Sequence, residues 1–254
     1  MRRFLLWGLP FVVALASTAV FGFGFVSYLR GDRGKAVDWA PAARGSSATA
    51  KQTTVFTPLI IGDSLARGAG DESGLGISGR LDAELRRRNT KAQRTVNLGI
   101  NGARTPDLLR QIDTPNVRHL LGEANVVIVS IGGNDLWGGA DWRQAPPADP
   151  DAAMQQVLDR IDEILKQIRG LNPKARIFFV GLYNPFAATP NGPMLSTLVT
   201  QWNAKLLDRF GRDPNFTLVQ TFDLFSHKDR LALDRFHPGG EGYELIARRI
   251  ADAL

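Results

Sequence analysis

The chain has 254 residues, of which 44% are hydrophobic and 22% are charged. A chain of this length and composition can bury a large core, which excludes a disulfide-stapled miniprotein and a disordered tail. It contains no cysteine, so disulfides, thiolate metal sites, cysteine nucleophiles and lipid-modified cysteines are excluded as well.

The net charge of +6 is concentrated at the start of the chain. Residues 1–51 carry seven Lys and Arg side chains against two Asp, whereas residues 52–254 carry 24 basic and 23 acidic side chains. The larger part of the chain is therefore nearly neutral, which argues against a nucleic-acid-binding function.

The first predicted element is an uncharged run of 26 residues, Phe4–Leu29. As a helix it would extend about 39 Å, enough to span a hydrocarbon core of about 30 Å with some tilt. A cleaved secretory signal peptide is the alternative, because Ala14–Ala16 offers a small-x-small cleavage site after a basic start. Cleavage there would leave an apolar new terminus, so we favour an uncleaved single-pass membrane anchor over residues 1–29.

The sequence does not choose clearly between the two membrane orientations, because basic residues flank both ends of the run. We place Arg2 and Arg3 in the cytoplasm and the rest of the chain outside it; cleavage would make the protein secreted. Residues 30–54 are rich in Gly, Ala, Ser and Thr and show no apolar periodicity, which predicts a flexible basic linker. Its cations could lie at lipid headgroups, or the linker could simply be solvated.

From residue 55 onward, short β-branched segments alternate with amphipathic helical patterns, without an internal repeat. The alternation predicts one α/β domain over residues 55–254, built on a parallel sheet with helices on both faces. The predicted strands are Val55–Ile61, Thr95–Leu98, Val126–Ile131, Arg176–Leu182 and Phe216–Gln220. The predicted helices are Ser78–Arg88, Thr105–Ile112, Asp151–Arg169, Met194–Phe210 and Gly240–Ala253.

Two of these helices carry specific signals. Thr105-Pro106-Asp107 is typical of a helix start, with a capping hydroxyl, a proline and an acid in the first turn. In the helix from Met194, apolar side chains recur at helical spacing and are expected to be core residues rather than pocket residues. They are Met194, Leu195, Leu198, Val199 and Trp202.

Residues capable of chemistry follow the predicted strands. Gly62-Asp63-Ser64-Leu65 comes after the first strand, a glycine-rich turn ending at Gly102 after the second, and Gly132-Gly133-Asn134-Asp135 after the third. Asp234-Arg235-Phe236-His237-Pro238 lies near the end of the chain. Because the carboxyl ends of parallel strands share one edge of a sheet, we expect these segments to converge there.

This set of residues is suited to acyl transfer by a serine. Ser64 would supply the nucleophilic hydroxyl, His237 the general base, and Asp234 the carboxylate that orients the imidazole. The backbone N–H groups of Ser64 and Gly102 and the side-chain amide of Asn134 would form the oxyanion hole. From the residues alone, Gly99 competes with Gly102 for this role.

Other kinds of site fit the sequence less well. The Gly-x-Ser-x-Gly elbow of α/β-hydrolases is absent because Ala66 stands where its last glycine would be. Three scattered histidines without cysteine leave no metal-ligand spacing. Singly, the glycines, the amide and the Asp–His pair could serve only turns, caps and surface contacts, but their joint occurrence in this order favours an active site.

These segments resemble the SGNH-type GDSL family of serine esterases and lipases, over residues 55–254. The resemblance implies a flavodoxin-like three-layer α/β/α sandwich with a central parallel five-stranded sheet. It also implies a nucleophilic Ser64, oxyanion-hole residues Gly102 and Asn134, and catalytic Asp234 and His237, with no cofactor and no metal. Gly102 is preferred to Gly99 on this resemblance. The Leu65–Gly74 loop is similar to that of signal-anchored or lipoprotein members from Gram-positive bacteria.

We therefore expect an esterase or acylhydrolase that cleaves carboxylic esters, such as a lipase, lysophospholipase or thioesterase-like enzyme. Its partners would be a small ester or lipid substrate and, through residues 1–29, a membrane. Trp137 and Trp142 would contribute to substrate binding, or else pack their own loop. A carbohydrate O-acetyl esterase acting on cell-wall glycan and a catalytically idle envelope binding module remain alternatives. The sequence does not determine the oligomeric state.

Overall fold

The computed structural model describes residues 14, 17–19, 22, 23, 26, 55–136, 149–226 and 228–254. The chain divides into two units, residues 1–51 and 52–254. Most of the predicted anchor, the whole predicted linker up to residue 54, and Trp137 and Trp142 lie outside the described residues. Among the residues that are described, no helix has both the length and the apolar character needed to cross a membrane.

A five-stranded, fully parallel sheet forms the centre of the second unit, with the strand order β2-β1-β3-β4-β5. The strands are β1 Pro58–Gly62, β2 Val96–Asn97, β3 Val126–Ser130, β4 Arg176–Val180 and β5 Phe216–Val219. Each lies within a predicted strand or differs from it by a few residues, so the prediction of a parallel five-stranded sheet is confirmed.

Eight α-helices are found in the described part of this unit. They are α1 Ser64–Arg67, α2 Gly76–Arg87, α3 Thr105–Ile112, α4 Pro115–Glu123, α5 Gly133–Leu136, α6 Pro150–Leu171, α7 Gly192–Phe210 and α8 Gly240–Asp252. The five helices expected from the sequence are present, with ends that agree to within two residues. Three helices were not predicted: α1 and α5, which have four residues each and are too short for a periodic pattern, and α4.

Helices cover both faces of the sheet. On one face, Val127 and Val129 of β3 pack in a core with side chains of α3, α4, α6 and α7. On the other face, Val126 and Ile128 pack with side chains of α1, α2 and α8. Alternate residues of one strand thus belong to different cores, which explains why β3 has no polar positions. The three-layer α/β/α sandwich is confirmed.

The start of α3 differs from the expectation in one respect. Thr105 does not cap the helix, because its hydroxyl donates to Asp135 Oδ1 at 2.6 Å. The residue at the cap position is Arg104, whose backbone N–H donates to Asp107 Oδ2 at 2.9 Å. The Thr105 hydroxyl therefore connects the start of α3 to α5 at the carboxyl edge of the sheet instead of capping its own helix.

Candidate active site

The turn that presents Ser64 begins with a close approach of two strands. Gly62, the last residue of β1, has φ 131°, and a Cβ atom there would lie 1.8 Å from the carbonyl oxygen of Ser130. No other residue fits this position without displacing β3. The next residue, Asp63, donates its backbone N–H to the same Ser130 oxygen at 2.9 Å. Ser64 is thereby fixed at the carboxyl edge of the sheet.

Ser64 is the first residue of α1, and Asp63 is the residue that caps this helix. Asp63 Oδ1 accepts hydrogen bonds from the Leu65 N–H at 3.1 Å and from Ser130 Oγ at 2.9 Å. Burial raises the pKa of the Asp63 carboxyl to about 6, although these hydrogen bonds and the nearby His237 act in the opposite direction. Carboxyl groups with a pKa shifted this far by burial are concentrated at functional sites, and Asp63 directly precedes the candidate nucleophile.

Ser64, His237 and Asp234 form a continuous hydrogen-bonded chain. His237 Nε2 lies 2.9 Å from Ser64 Oγ, and His237 Nδ1 lies 2.7 Å from Asp234 Oδ2. Asp234 Oδ1 accepts the backbone N–H groups of Phe236 and His237, both at 2.9 Å. Partial burial raises the pKa of Asp234, but the bonds from the His237 ring and these amides outweigh it and hold the pKa below its ordinary value.

The loop that carries Asp234 and His237 is held by contacts on either side of the histidine. Within the loop, the Ala232 N–H donates to the His237 carbonyl at 2.8 Å. From outside, Tyr183 Oη donates to the Phe236 carbonyl at 2.7 Å. The Phe236 ring meets the His237 imidazole edge-on, with centroids 4.8 Å apart, and stacks on Phe186 at 5.8 Å. These contacts restrict the imidazole to the orientation that faces Ser64.

The structure distinguishes between the two glycines considered for the oxyanion hole. The Gly99 N–H is engaged by Asn97 Oδ1 at 2.9 Å, and a Cβ atom on Gly99 would lie 2.3 Å from the Arg67 nitrogen. Gly102 has φ 76° and open space around its missing Cβ, and within the described part of the chain its N–H donates to no acceptor. Gly102 is therefore the glycine whose amide is available to a ligand.

Asn134, at the start of α5, is tied to the turn that contains Gly102. One hydrogen of its Nδ2 group is donated to the Ala103 carbonyl at 2.9 Å, which leaves the other for a ligand. The next residue, Asp135, accepts the Thr105 N–H at 3.0 Å and the Thr105 hydroxyl at 2.6 Å. Asn134 and Asp135 of α5 thus bind Ala103 and Thr105, which closely follow Gly102 in the chain.

A cavity of about 70 Å³ opens beside Ser64 and His237. Its walls also include Asn134, which brings three of the predicted site residues to one space. Gly102 is not among the lining residues. The remaining walls come from residues at or after the ends of β1, β3 and β4, from α7, and from the loop that carries His237; they are Asp63, Leu65, Ser130, Gly133, Leu182, Tyr183, Asn184, Pro185, Phe186, Leu195, Val199 and Phe236.

Two of these lining residues correct an expectation. Leu195 and Val199 were expected to be core residues because of their helical spacing, yet their side chains line the cavity beside Ser64. Leu198 and Trp202, which share the spacing, do belong to the core, whereas Met194 is exposed. Helical periodicity identified a buried face of α7 but could not tell whether protein or a cavity covers each position.

The described residues contain no cluster of three or more His, Asp or Glu side chains placed to hold a metal ion. The polar groups that converge at the cavity include the Ser64 hydroxyl, the His237 imidazole and the Asn134 amide. Together they can provide a nucleophile, a base and a hydrogen-bond donor for a carbonyl oxygen.

Comparison with known proteins agrees with this description. The model of the GDSL-like Lipase/Acylhydrolase family matches residues 60–245. The uncharacterized protein YpmR of Bacillus subtilis (strain 168) is 32% identical over 204 residues, covering 76% of this chain and 79% of that protein. The spore germination lipase LipC of Bacillus licheniformis is 24% identical over 212 residues, covering 79% of this chain and 96% of LipC.

A solved structure with the same fold is the lipase Lip_vut3 from a goat rumen metagenome. It has a TM-score of 0.67 and 21% sequence identity, and covers 78% of this chain and 97% of its own. The fold and the family match define an ester-cleaving hydrolase. The chain belongs to the GDSL-like lipase/acylhydrolase family, as its sequence motifs predicted.

Proposed function

We propose that this protein is a serine esterase that hydrolyses carboxylic esters through an acyl-enzyme on Ser64. The observation that carries the proposal is the chain of hydrogen bonds from Ser64 Oγ to His237 Nε2 at 2.9 Å and from His237 Nδ1 to Asp234 Oδ2 at 2.7 Å. When His237 Nδ1–H donates a hydrogen bond to Asp234 Oδ2, Nε2 carries the lone pair that faces the serine hydroxyl. This is the arrangement that converts an alcohol into a nucleophile.

The reaction then proceeds in two halves. Ser64 Oγ attacks the ester carbonyl while its proton passes to His237 Nε2, and the imidazolium returns that proton to the departing alkoxide. A water molecule gives its proton to His237 and attacks the acyl-enzyme. Collapse of this second intermediate releases the carboxylic acid and restores the proton to Ser64. The Asp234 carboxylate stabilises the imidazolium in both halves.

In this proposal the negative charge on the carbonyl oxygen is stabilised by the N–H groups of Ser64 and Gly102 and by Asn134 Nδ2. Support comes from the hydrogen bonding of the described residues, among which neither backbone N–H group has an acceptor. Asn134 keeps one amide hydrogen in addition to the one bound by Ala103. Loss of one such donor typically costs about 2.7–4 kcal/mol of transition-state stabilisation, which makes Asn134 testable by substitution.

The proposal is tested by labelling and turnover of the full-length chain. Ser64→Ala is expected to abolish labelling by a fluorophosphonate and hydrolysis of p-nitrophenyl butyrate. Ser226→Ala, which removes an exposed hydroxyl that donates only to the Asp223 carbonyl at 3.2 Å, is the matched control and should retain both. Retained turnover in a folded Ser64→Ala protein would refute the serine mechanism, and absence of labelling in the wild type would favour an idle binding module.

We also propose that residues 1–29 hold the enzyme at a membrane with the hydrolase domain outside the cytoplasm. The support is the 26-residue uncharged run between Arg3 and Arg30. In cells, the full-length chain should stay in the membrane fraction after a high-salt or carbonate wash and should be digested by protease added outside. Recovery of a soluble protein whose N terminus follows Ala16 would instead show a cleaved signal peptide.

A further inference from the structure

Residues 231–238, called the His237 loop below, are hydrogen-bonded mainly to one another. The Ala232 N–H donates to the His237 carbonyl at 2.8 Å. The Asp234 carboxylate accepts the backbone N–H groups of Phe236 and His237, both at 2.9 Å, and its second oxygen lies 2.7 Å from His237 Nδ1. The Asp234–His237 pair is therefore held together by bonds that lie within the loop.

Among the hydrogen bonds formed between described residues, two connect the His237 loop to the rest of the protein. One is the contact between His237 Nε2 and Ser64 Oγ at 2.9 Å. The other is donated by Tyr183 Oη to the Phe236 carbonyl at 2.7 Å. The first of these joins the groups that would react. The bond from Tyr183 is therefore the one that can place the loop independently of the reacting pair.

The Tyr183 side chain is itself held in place. It follows the end of β4 by three residues, and its ring packs against the core that contains α8. The ring also stacks on Phe225, with centroids 4.0 Å apart and an angle of 29° between the planes. Burial raises the pKa of the Tyr183 hydroxyl well above its ordinary value, so the hydroxyl stays protonated and able to donate.

The peptide group between Phe236 and His237 is bound on both sides. Tyr183 donates to its carbonyl, and Asp234 accepts its N–H. The loop is also packed from behind, because a Cβ atom on Gly70 would lie 2.7 Å from His237 Cβ. Packing prevents closer approach, but a hydrogen bond additionally fixes a distance and a direction. The Tyr183 bond thus sets where the backbone of His237 lies.

We propose that Tyr183 is a positioning residue for His237, whose hydroxyl holds the His237 loop so that Nε2 stays within hydrogen-bond reach of Ser64 Oγ. The inference rests on the proposed serine mechanism and adds to it a residue that acts through the Phe236 carbonyl. Because Asp234 belongs to the same loop as His237, loss of the Tyr183 hydroxyl loosens the Ser64–His237 contact and leaves the Asp234–His237 contact intact.

Tyr183→Phe in the full-length chain tests the proposal, because it removes the hydroxyl and keeps the ring on Phe225. We expect kcat for p-nitrophenyl butyrate to fall about tenfold and KM to change by less than about twofold, since misplacement by about 1 Å can cost about 100-fold. The rate of Ser64 labelling by a fluorophosphonate should fall by a similar factor. The midpoint of the acidic limb of kcat/KM should stay within about 0.3 pH units of wild type, because the Asp234–His237 pair is unchanged.

Two further variants separate positioning from other effects. Thr221→Val is the matched control, because it removes a fully buried hydroxyl that donates to the Gly181 carbonyl at 2.7 Å. It should lower thermal stability as Tyr183→Phe does, while kcat and the labelling rate stay at the wild-type values. Asp234→Asn changes the Asp–His pair itself and should move the acidic limb to lower pH, because the neutral amide stabilises an imidazolium less well.

The labelling experiment also separates failure of this inference from failure of the serine mechanism. If wild-type Ser64 is labelled and Tyr183→Phe has the wild-type labelling rate and kcat, the positioning role is wrong and the serine esterase stands. A raised KM with unchanged kcat, or an equal loss of kcat in Thr221→Val, would also overturn the role. If wild-type Ser64 is not labelled and no ester is hydrolysed, both proposals fail.

A second variant tests the same link if Tyr183→Phe does not fold. Phe225→Leu removes the ring on which Tyr183 stacks and keeps the Tyr183 hydroxyl. It should lower kcat and the labelling rate and leave the acidic limb in place. Wild-type values of both rates in a folded Phe225→Leu protein would then count against the positioning role.

Discussion

The buried carboxylate of Asp135 binds both the backbone N–H and the hydroxyl of Thr105, at 3.0 and 2.6 Å. Its side chain is 3% exposed, and Arg160 lies 3.7 Å away. Thr105 begins α3, and Asp135 follows Asn134 in α5. The pair therefore fixes the distance between the turn that carries the Gly102 amide and the start of α5, which carries the Asn134 amide; these are the donors proposed for the oxyanion hole.

We predict that Asp135→Ala lowers kcat about tenfold and changes KM by less than about threefold. Without this contact, the Gly102 turn and the start of α5 are held less firmly, which weakens donors that act mainly on the transition state. The expected tenfold loss of kcat is smaller than the loss of about 100–1000-fold that follows from removing one donor completely. The measurement is steady-state hydrolysis of a p-nitrophenyl ester.

Asp82→Ala is the matched control for Asp135→Ala. Asp82 accepts the Thr95 N–H at 3.0 Å and the Thr95 hydroxyl at 2.6 Å, away from the cavity. Both variants should lose stability, by roughly 1–3 kcal/mol, because both leave a threonine unpaired. An equal fall of kcat in both would mean that Asp135 acts only through stability.

Asp234→Asn is expected to reduce kcat about 10–100-fold with little change in KM. The amide keeps one oxygen for the backbone N–H groups of Phe236 and His237, but it is neutral and cannot stabilise an imidazolium. The loss should be moderate because the Asp234 side chain is 46% exposed, so water can take over part of its role. Burst kinetics with an activated ester would locate the effect in acylation, and an unchanged kcat would contradict the orienting role.

The Asp63 carboxyl should make the free energy of unfolding decrease as pH rises. Its pKa is about 6 in the folded chain and 3.8 in the unfolded chain, so between these values the unfolded state has lost a proton that the folded state keeps. The stabilising effect of the protonated form is therefore present below about pH 4 and is lost by about pH 6–7. The gap between the two values corresponds to about 3 kcal/mol.

Asp63→Asn tests this linkage because it retains an acceptor for Leu65 and Ser130 but does not ionise. Relative to wild type, the variant should gain up to about 3 kcal/mol of unfolding free energy between pH 4 and pH 7, whatever its absolute stability. Urea titrations at several pH values measure the difference, with the exposed Asp208→Asn as control. A parallel pH dependence of the wild type and Asp63→Asn would show that Asp63 is not protonated in this range.

Gly62→Ala should prevent folding or cost about 3–5 kcal/mol, because the new Cβ would meet the Ser130 oxygen and φ lies in the region that disfavours side chains. In Gly102→Ala the new Cβ meets no atom and the backbone N–H is kept, so the free energy of unfolding should fall by only about 1 kcal/mol and most activity should remain. In Gly122→Ala the new Cβ points into open space on α4, so the free energy of unfolding should rise by about 0.4–1 kcal/mol. Thermal unfolding of the three variants ranks them, and a Gly62→Ala protein as stable as wild type would contradict the close approach.

The sequence by itself determined the layers, the five strands and the segments that meet at the carboxyl edge of the sheet. These features depend on local periodicity and on the geometry of parallel sheets, so the sequence alone identifies Ser64, Asn134, Asp234 and His237 as site residues. The helix at Ser64–Arg67 was missed because four residues are too few to show a period, and its cap, Asp63, was read only as part of a turn.

Tertiary structure alone decided which partner each polar group takes and what lies against each buried side chain. Gly99 and Gly102 are both glycines in one turn, and only their neighbours show that the Gly99 amide is engaged while the Gly102 amide is available. The sequence predicted Thr105 as a helix cap, but its hydroxyl donates to Asp135, thirty residues further along the chain. Leu195 and Val199 follow the same apolar period as the core residues of α7, because a helix buries a face in the same way whether protein or a cavity lies beyond it.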